Sequence, residues 1–267
     1  MTDKYVVFGN PVAHSKSPRI QMLFAQQTGQ DMVYTHRLAP LDGFTPEVHA
    51  LRAEGGRGAN VTVPFKEEAY RLCTRLTPRA QVAEAVNTLV FNGDEILGDN
   101  TDGAGLLADI ERDPGFTVTA KRVLLIGAGG ASRGVIQPLL ERQPACLVVA
   151  NRTAEKAQAL ADTFGNAVSG CGFAELAGQH FDVIINATST GLSNDELPLP
   201  PGLFAAGCLA YDMMYGKETP FLRQARAAGA KCMDGLGMLV EQAAESFALW
   251  RGVRPETDSV LATVRND

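Results

Sequence analysis

Two sets of residues in this sequence have types and spacings suited to chemistry. The first is VLLIGAGGASRG, Val123 to Gly134, followed by VVANRT, Val148 to Thr153. Val123 to Ile126 is a continuous apolar run, the pattern of a strand buried on both faces of a parallel sheet. Gly127 permits a tight turn. Gly129 lets backbone approach a pyrophosphate, and Gly130 opens a helix whose N-terminal amides face phosphates. Ser132 stands where the GxGxxG pattern ends in Gly or Ala, and it is still small enough for close helix–strand packing. At the end of the second strand, an NAD site usually carries Asp or Glu for the ribose 2′-hydroxyl, a carboxylate that would repel a 2′-phosphate. Asn151, Arg152 and Thr153 stand there instead. Arg152 can offer a charge-assisted fork and stack on adenine, and Thr153 a hydroxyl donor. The unit therefore reads as a dinucleotide-binding βαβ that selects NADP. A glycine turn followed by an ordinary helix cap at Thr153 accounts for less, because turn, spacing and charge all agree.

The second set is polar and lies at strand ends, where open α/β sheets bind ligands. Ser15 and Ser17 follow the first strand; Asn60, Thr62 and Lys66 follow the third; Asn87 precedes a hairpin and Asp102 follows it. Singly, each has a structural explanation: a Ser before Pro caps a helix, and a Lys early in a helix is solvated. Together they suit a small polyhydroxylated acid. When a secondary alcohol loses hydride to a nicotinamide its hydroxyl proton must also leave, a step for which a positioned acid–base group contributes about 10²–10⁴-fold. Among histidines only His14 lies in these loops, so Lys66 with Asp102 is the better candidate. A neighbouring carboxylate favours the charged ammonium, which makes Lys66 a better acid than base and couples the two groups. The reverse assignment, Asp102 as base with Lys66 as electrostatic stabiliser, stays open on these grounds.

These residues need a scaffold, and the rest of the sequence supplies one. At 267 residues the chain allows one large or two moderate domains. Hydrophobic residues make up 45% and charged residues 20%, the composition of a folded chain. With 24 basic against 30 acidic side chains and no basic patch, nucleic acid is not an expected partner. No apolar stretch reaches the length of a membrane span, and MTDKYVVFGNP lacks the features of a secretory signal. The five cysteines form no CxxC and the four histidines show no metal-ligand spacing, so a reduced cytoplasmic protein without a metal is expected. Strand-like and helical runs alternate. Strands are expected over 4–8, 34–38, 58–61, 123–126, 147–150, 183–186, 209–212 and 231–233. Helices are expected from Ser17, as cap, to Thr28, over 44–54, after Pro64, over 80–85, 104–112, 154–164 and 219–228, and over a last long segment, 237–250. Asn92-Gly93-Asp94 joins a hairpin of 88–91 and 95–98. The loop ATSTGLSNDELPLPPG has the small, polar character of a ligand loop.

The segments NPVAHSKSP, NVTVPFKE, AVNTL, GDNTDG, GAGGASRG, NRT, NATSTG, YDMMY and DGLGMLVEQAA, in order over nearly the whole chain, resemble those of the shikimate dehydrogenase family. The resemblance implies an α/β fold with an N-terminal α/β substrate domain and a Rossmann-like, doubly wound NADP-binding domain, with a cleft between them. The expected bounds are 1–102, completed by C-terminal helices in 238–267, and 103–237. It implies reversible NADP-linked reduction of 3-dehydroshikimate to shikimate. Residue by residue, it implies substrate contacts from Ser15, Ser17, Thr62, Asn87, Asp102 and Gln242, with Asn60 supporting the same loop and Tyr215 lining the pocket. Lys66 is then the proton donor–acceptor. Gly127, Ala128, Gly129, Gly130 and Ala131, with Asn151, Arg152, Thr153 and Lys156, would bind NADP, and Met213 and Gly237 would lie near the nicotinamide. A homodimer is compatible with this reading. The chain departs from many members at Gly216-Lys217-Glu218, after YDMMY, which bears on a loop and not on the chemistry. Two alternatives compete with this reading. One is a quinate/shikimate dehydrogenase with relaxed NAD/NADP use, against which Asn151-Arg152 argues. The other is a non-catalytic NADP sensor, against which the retention of Lys66 and Asp102 argues.

Overall fold

The computed structural model describes residues 2–113, 116–188 and 196–267. The chain divides into two compact units, Met1–Leu106 with Gly237–Asp267, and Leu107–Leu236. Much of the loop expected to contact ligand, including Ser189, Thr190 and Gly191 of NATSTG, lies outside the described residues, as do Pro114 and Gly115.

In the first unit the elements run β1 (Asp3–Gly9), α1 (Ser17–Thr28), β2 (Met32–Leu38), α2 (Phe44–Ala53), β3 (Gly56–Val61), α3 (Lys66–Leu72), β4 (Arg75–Leu76), α4 (Pro78–Ala83), β5 (Thr88–Asn92), β6 (Glu95–Asp99) and α5 (Asp102–Ile110). The described strands form a sheet in the order β2-β1-β3-β5-β6-β4, parallel at β2-β1-β3 and antiparallel through β5 and β6. Alternation along β1 fills both faces. Val6 and Phe8 enter a core with Phe44, Val48, Leu51 and Phe65, while Tyr5 and Val7 enter another with Ile20, Phe24 and Phe247. Helix α1 begins at Ser17, with Lys16 in the cap position. The sequence predicts Ser17 as that cap, and the correction is local: the Ser15 hydroxyl accepts from the Ser17 amide at 3.2 Å, leaving Ser17 the first helical residue.

In the second unit follow β7 (Arg122–Ile126), α6 (Gly130–Glu141), β8 (Cys146–Asn151), α7 (Ala154–Asp162), β9 (Ser169–Gly172), β10 (Phe181–Asn186), β11 (Phe204–Asp212), α8 (Pro220–Ala227) and β12 (Lys231–Asp234). The order β12-β11-β10-β7-β8-β9 is parallel throughout. Counted from the first strand of the unit this is 3-2-1-4-5-6 read backwards, a doubly wound dinucleotide-binding sheet whose order reverses between β7 and β10. Its central strands β7, β8 and β10 carry apolar runs, as expected where helices cover both faces. Helix α9 (Leu236–Arg251) leads back into the first unit, where α10 (Asp258–Asn266) places Val260 and Val264 in the core with Ile20 and Phe24. The sequence predicts α9 as the last long helix, and α10 is a further one. Its valines explain why it forms: they bury against α1. Among the described residues no helix is long and apolar enough to cross a membrane.

Candidate active site

In the first unit, Lys66 opens α3 and Asp102 opens α5, and their side chains meet: Lys66 Nζ lies 2.5 Å from Asp102 Oδ2, with the side chains 13% and 7% exposed. Two features of the fold bring them there. The backbone after β3 turns through Thr62-Val63-Pro64, with Phe65 N–H donating to Thr62 O at 3.1 Å, and sets Lys66 at the start of its helix. The Asn100 side chain accepts from the Asp102 amide at 3.1 Å and donates to Ala85 O at 2.9 Å, which seats the first turn of α5. Asp102 is not held by Lys66 alone. Its other oxygen, Oδ1, accepts from Asn87 Nδ2 at 2.9 Å.

The expected polar set is only partly one cluster. Asn87 is buried, with its main chain bonded to Val61 on one side and Asp99 on the other. Gln242 reaches it from α9, its Oε1 accepting from Asn87 Nδ2 at 3.2 Å. The approach is close because Gly105 on α5 has no side chain: a Cβ there would lie 2.7 Å from Gln242 N and 2.8 Å from Met238 O. Ser15 and Ser17 bond to each other at 3.1 Å, and the Ser15 carbonyl meets His36 Nε2 at 2.8 Å. Thr62 is half-buried at the end of β3. Asn60 is buried with both ends of its amide engaged internally, by Tyr34 on Oδ1 and by Asn87 O, Thr88 and Ser246 on Nδ2. Tyr215 belongs to the second unit, after β11. Thr88, Thr101 and Ser246 carry no signal of their own in the sequence, yet they complete the network around Asn87. Ser246 follows Gln242 by one helical turn, a spacing that puts both on one face and could have drawn attention to it.

Electrostatics around the cluster are ordered by burial. Burial lifts the Tyr34 phenol well above its ordinary range, so it stays a donor to Asn60. Asp99, at the end of β6, is buried, which raises a carboxyl. The Arg79 guanidinium, bound to both its oxygens at 2.7 and 2.5 Å, outweighs that and holds it below the usual carboxylate range.

In the second unit, Gly127 ends β7 with φ +113°, a conformation glycine adopts readily, and a Cβ there would press at 3.2–3.3 Å on Thr188 and Ala187 after β10. Gly129 precedes α6, and a Cβ on it would meet nothing within 4 Å among the described residues. Among the described residues helix α6 has no side-chain cap, and it carries no acid in its first turn, which suits its N-terminal amides to an anion. Ala128 and Ala131 flank these glycines. At the end of β8 the Asn151 amide folds back on Thr153 O at 3.0 Å, while Arg152, Thr153 and Lys156 are exposed. The Thr153 hydroxyl makes no cap bond to α7, contrary to an ordinary capping role. The residues present thus fit a dinucleotide bearing an extra phosphate. Met213, after β11, is held through its amide by Asn186 O at 3.0 Å; Gly237 lies in the first turn of α9.

Family models match in chain order: Shikimate dehydrogenase substrate binding domain over residues 7–89, Shikimate / quinate 5-dehydrogenase over 110–193, and Shikimate 5'-dehydrogenase C-terminal domain over 235–265. The chain is 64% identical to shikimate dehydrogenase (NADP(+)) of Dechloromonas aromatica (strain RCB), across 99% of this chain and 98% of that protein. Its structure is similar to that of an Ael1 enzyme from Pseudomonas putida, with a TM-score of 0.89, 47% identity and 98% of each chain covered. It is also similar to shikimate 5-dehydrogenase from Thermus thermophilus in complex with NADP(H) and shikimate, with a TM-score of 0.87, 34% identity and 99% of each chain covered.

Proposed function

The chain belongs to the shikimate dehydrogenase family, and from that premise we propose that Lys66 and Asp102 are the acid–base pair of its reaction. The reaction is the NADP-linked interconversion of 3-dehydroshikimate and shikimate. NADP, when bound, supplies the hydride chemistry. The chain must do the rest: hold the acid, orient it, and move one proton. In reduction, Lys66 Nζ gives a proton to the substrate's carbonyl oxygen; in oxidation it takes the hydroxyl proton back. Asp102 Oδ2 aims the ammonium and balances its charge, and Asn87 occupies Oδ1. The 2.5 Å approach of two largely buried, oppositely charged groups carries this reading. Ser15 and Ser17 are assigned to the substrate carboxylate, and Thr62, Asn87, Gln242 and Tyr215 to its ring hydroxyls. Asn60, with its amide spent internally, is assigned to supporting the loop.

For the cofactor, Gly127 to Ala131 are assigned to the pyrophosphate, Asn151, Arg152, Thr153 and Lys156 to the 2′-phosphate side, and Met213 and Gly237 to the nicotinamide. Burial pushes the Cys73 and Cys208 thiols up to about 12, which keeps them protonated, and all five cysteines are free of disulfides, which fits a reducing cytoplasm as the place of action. The test of the pair is steady-state kinetics of Lys66→Ala. We expect kcat to fall by at least about 10²-fold with KM for shikimate little changed. A raised KM at unchanged kcat would make Lys66 a binding residue and end the proposal.

A further inference from the structure

We propose that Thr88 and Ser246 are positioning residues that set the orientation of the Asn87 amide and thereby the way Asp102 is presented to Lys66. This deepens the acid–base reading above and rests on it.

A carboxamide is almost symmetric in shape, so its neighbours decide which end points where. At each end of Asn87 one group has a fixed role, the Thr101 N–H at Oδ1 and the Asp102 carboxylate at Nδ2. Asn87 Oδ1 accepts from the Thr101 amide at 2.9 Å, and a backbone N–H can only donate. Thr88 Oγ1 donates to the same oxygen at 2.9 Å. Its Nδ2 faces Asp102 Oδ1 at 2.9 Å and Gln242 Oε1 at 3.2 Å, both acceptors. Turned over, the amide would set a carbonyl against a carboxylate with no hydrogen between them.

The Thr88 hydroxyl has two roles to choose from, and the next shell makes the choice. Asn60 Nδ2 donates to Thr88 Oγ1 at 3.1 Å and to Ser246 Oγ at 2.9 Å. Asn60 is itself held in one sense: Tyr34 OH donates to its Oδ1 at 2.7 Å, and its Nδ2 also faces the Asn87 carbonyl at 3.1 Å, which can only accept. Ser246 Oγ accepts from Asn60 at 2.9 Å and lies 2.8 Å from Thr88 Oγ1, nearer than the Gln242 carbonyl at 3.0 Å, so its one proton goes to Thr88. With Asn60 donating into it, Thr88 sends its proton to Asn87. The chain of donors thus runs one way, from Tyr34 through Asn60 and Thr88 to Asn87 and Asp102. Asn60, Asn87, Thr88, Thr101 and Ser246 are all buried, so water offers no substitute partner.

The experiment uses the full-length enzyme and Thr88→Val, which keeps the shape and removes the hydroxyl. We expect kcat to fall about five- to tenfold, the effect of one lost neutral hydrogen bond, with KM for both substrates within about twofold. The solvent deuterium isotope effect on kcat should rise as proton transfer slows. Thr88→Ser should restore kcat to within about twofold of the parent. A Thr88→Val enzyme with the parent kcat and isotope effect overturns the proposal, even if it melts lower; so does a loss that Thr88→Ser does not recover, which would assign the effect to packing. If Thr88→Val does not fold, Ser246→Ala takes its place, with a fall in kcat expected and an unchanged kcat overturning. Asp102→Asn is run beside them. If it keeps the parent kcat, the acid–base reading itself fails; if it is inactive while Thr88→Val turns over normally, only the positioning role fails.

Discussion

Arg152 stands exposed just past β8, where the sequence places a guanidinium in the position of an expected carboxylate. Its removal should therefore touch the ligand and little else. We expect Arg152→Ala to weaken NADP by about 1.5–3 kcal/mol, the range for hydrogen bonds to charged groups, and to leave NAD and thermal stability nearly unchanged. Kinetics with each cofactor check this, and an equal loss for both would mean that the side chain does not meet the 2′-phosphate. At this scale the sequence offers most where a residue's type is decisive: a lysine, an aspartate and an arginine are candidates for charge chemistry wherever they fold. It reads poorly where the role depends on which way a small side chain faces. Asn60 is legible as polar, but not as an amide with both ends used up. Ser17 looks like a cap, and only the bond its amide donates to the Ser15 hydroxyl shows otherwise.

Among the elements, α9 lies against α5, and the contact depends on one missing methyl group. At Gly105 a Cβ would collide with main-chain atoms of Gln242 and Met238, which cannot swing aside as a side-chain tip can. Gly105→Ala should cost about 1–3 kcal/mol through overpacking and should also lower kcat, because Gln242 and Ser246 ride on the displaced helix. Thermal unfolding and turnover measured on the same preparation check both; an intact melting point would show that α9 is not pressed there. Two short strands escape the sequence for a related reason. Arg75–Leu76 is too short to show a period, and Ser169–Gly172 has none of the branched residues that mark a strand. The latter forms by pairing its main chain with β8, and α7 packs so closely over it that a Cβ on Gly170 would lie 2.5 Å from helix backbone. Its composition answers to that packing and not to β propensity.

Over the whole molecule, the first unit is built from both ends of the chain. Helix α10 supplies Val260 and Val264 to the core behind α1, Lys16 Nζ donates to Val264 O at 2.8 Å, and Arg19 pairs with Asp267 at 3.2 Å. A chain ending at Arg251 should lose the burial of those two valines, about 3–6 kcal/mol, a large share of the roughly 5–15 kcal/mol typical of a domain. We expect its first unit to melt early and turnover to fail at working temperature, while calorimetry still detects NADP binding by the second unit. Parent-like melting and turnover would show that α10 is dispensable. The alternation of strands and helices, the glycine-rich nucleotide loop and the candidacy of Lys66 and Asp102 are all legible in the residues alone. They follow from periodicity and from side-chain chemistry, which are local. Folding had to settle that Gln242 reaches Asn87 and Ser246 reaches Thr88, that the hydrogen bonds around them run in one direction, and that the last helix completes the first core. Those facts depend on distances between segments far apart in the chain, and local pattern contains no information on how close two such segments come.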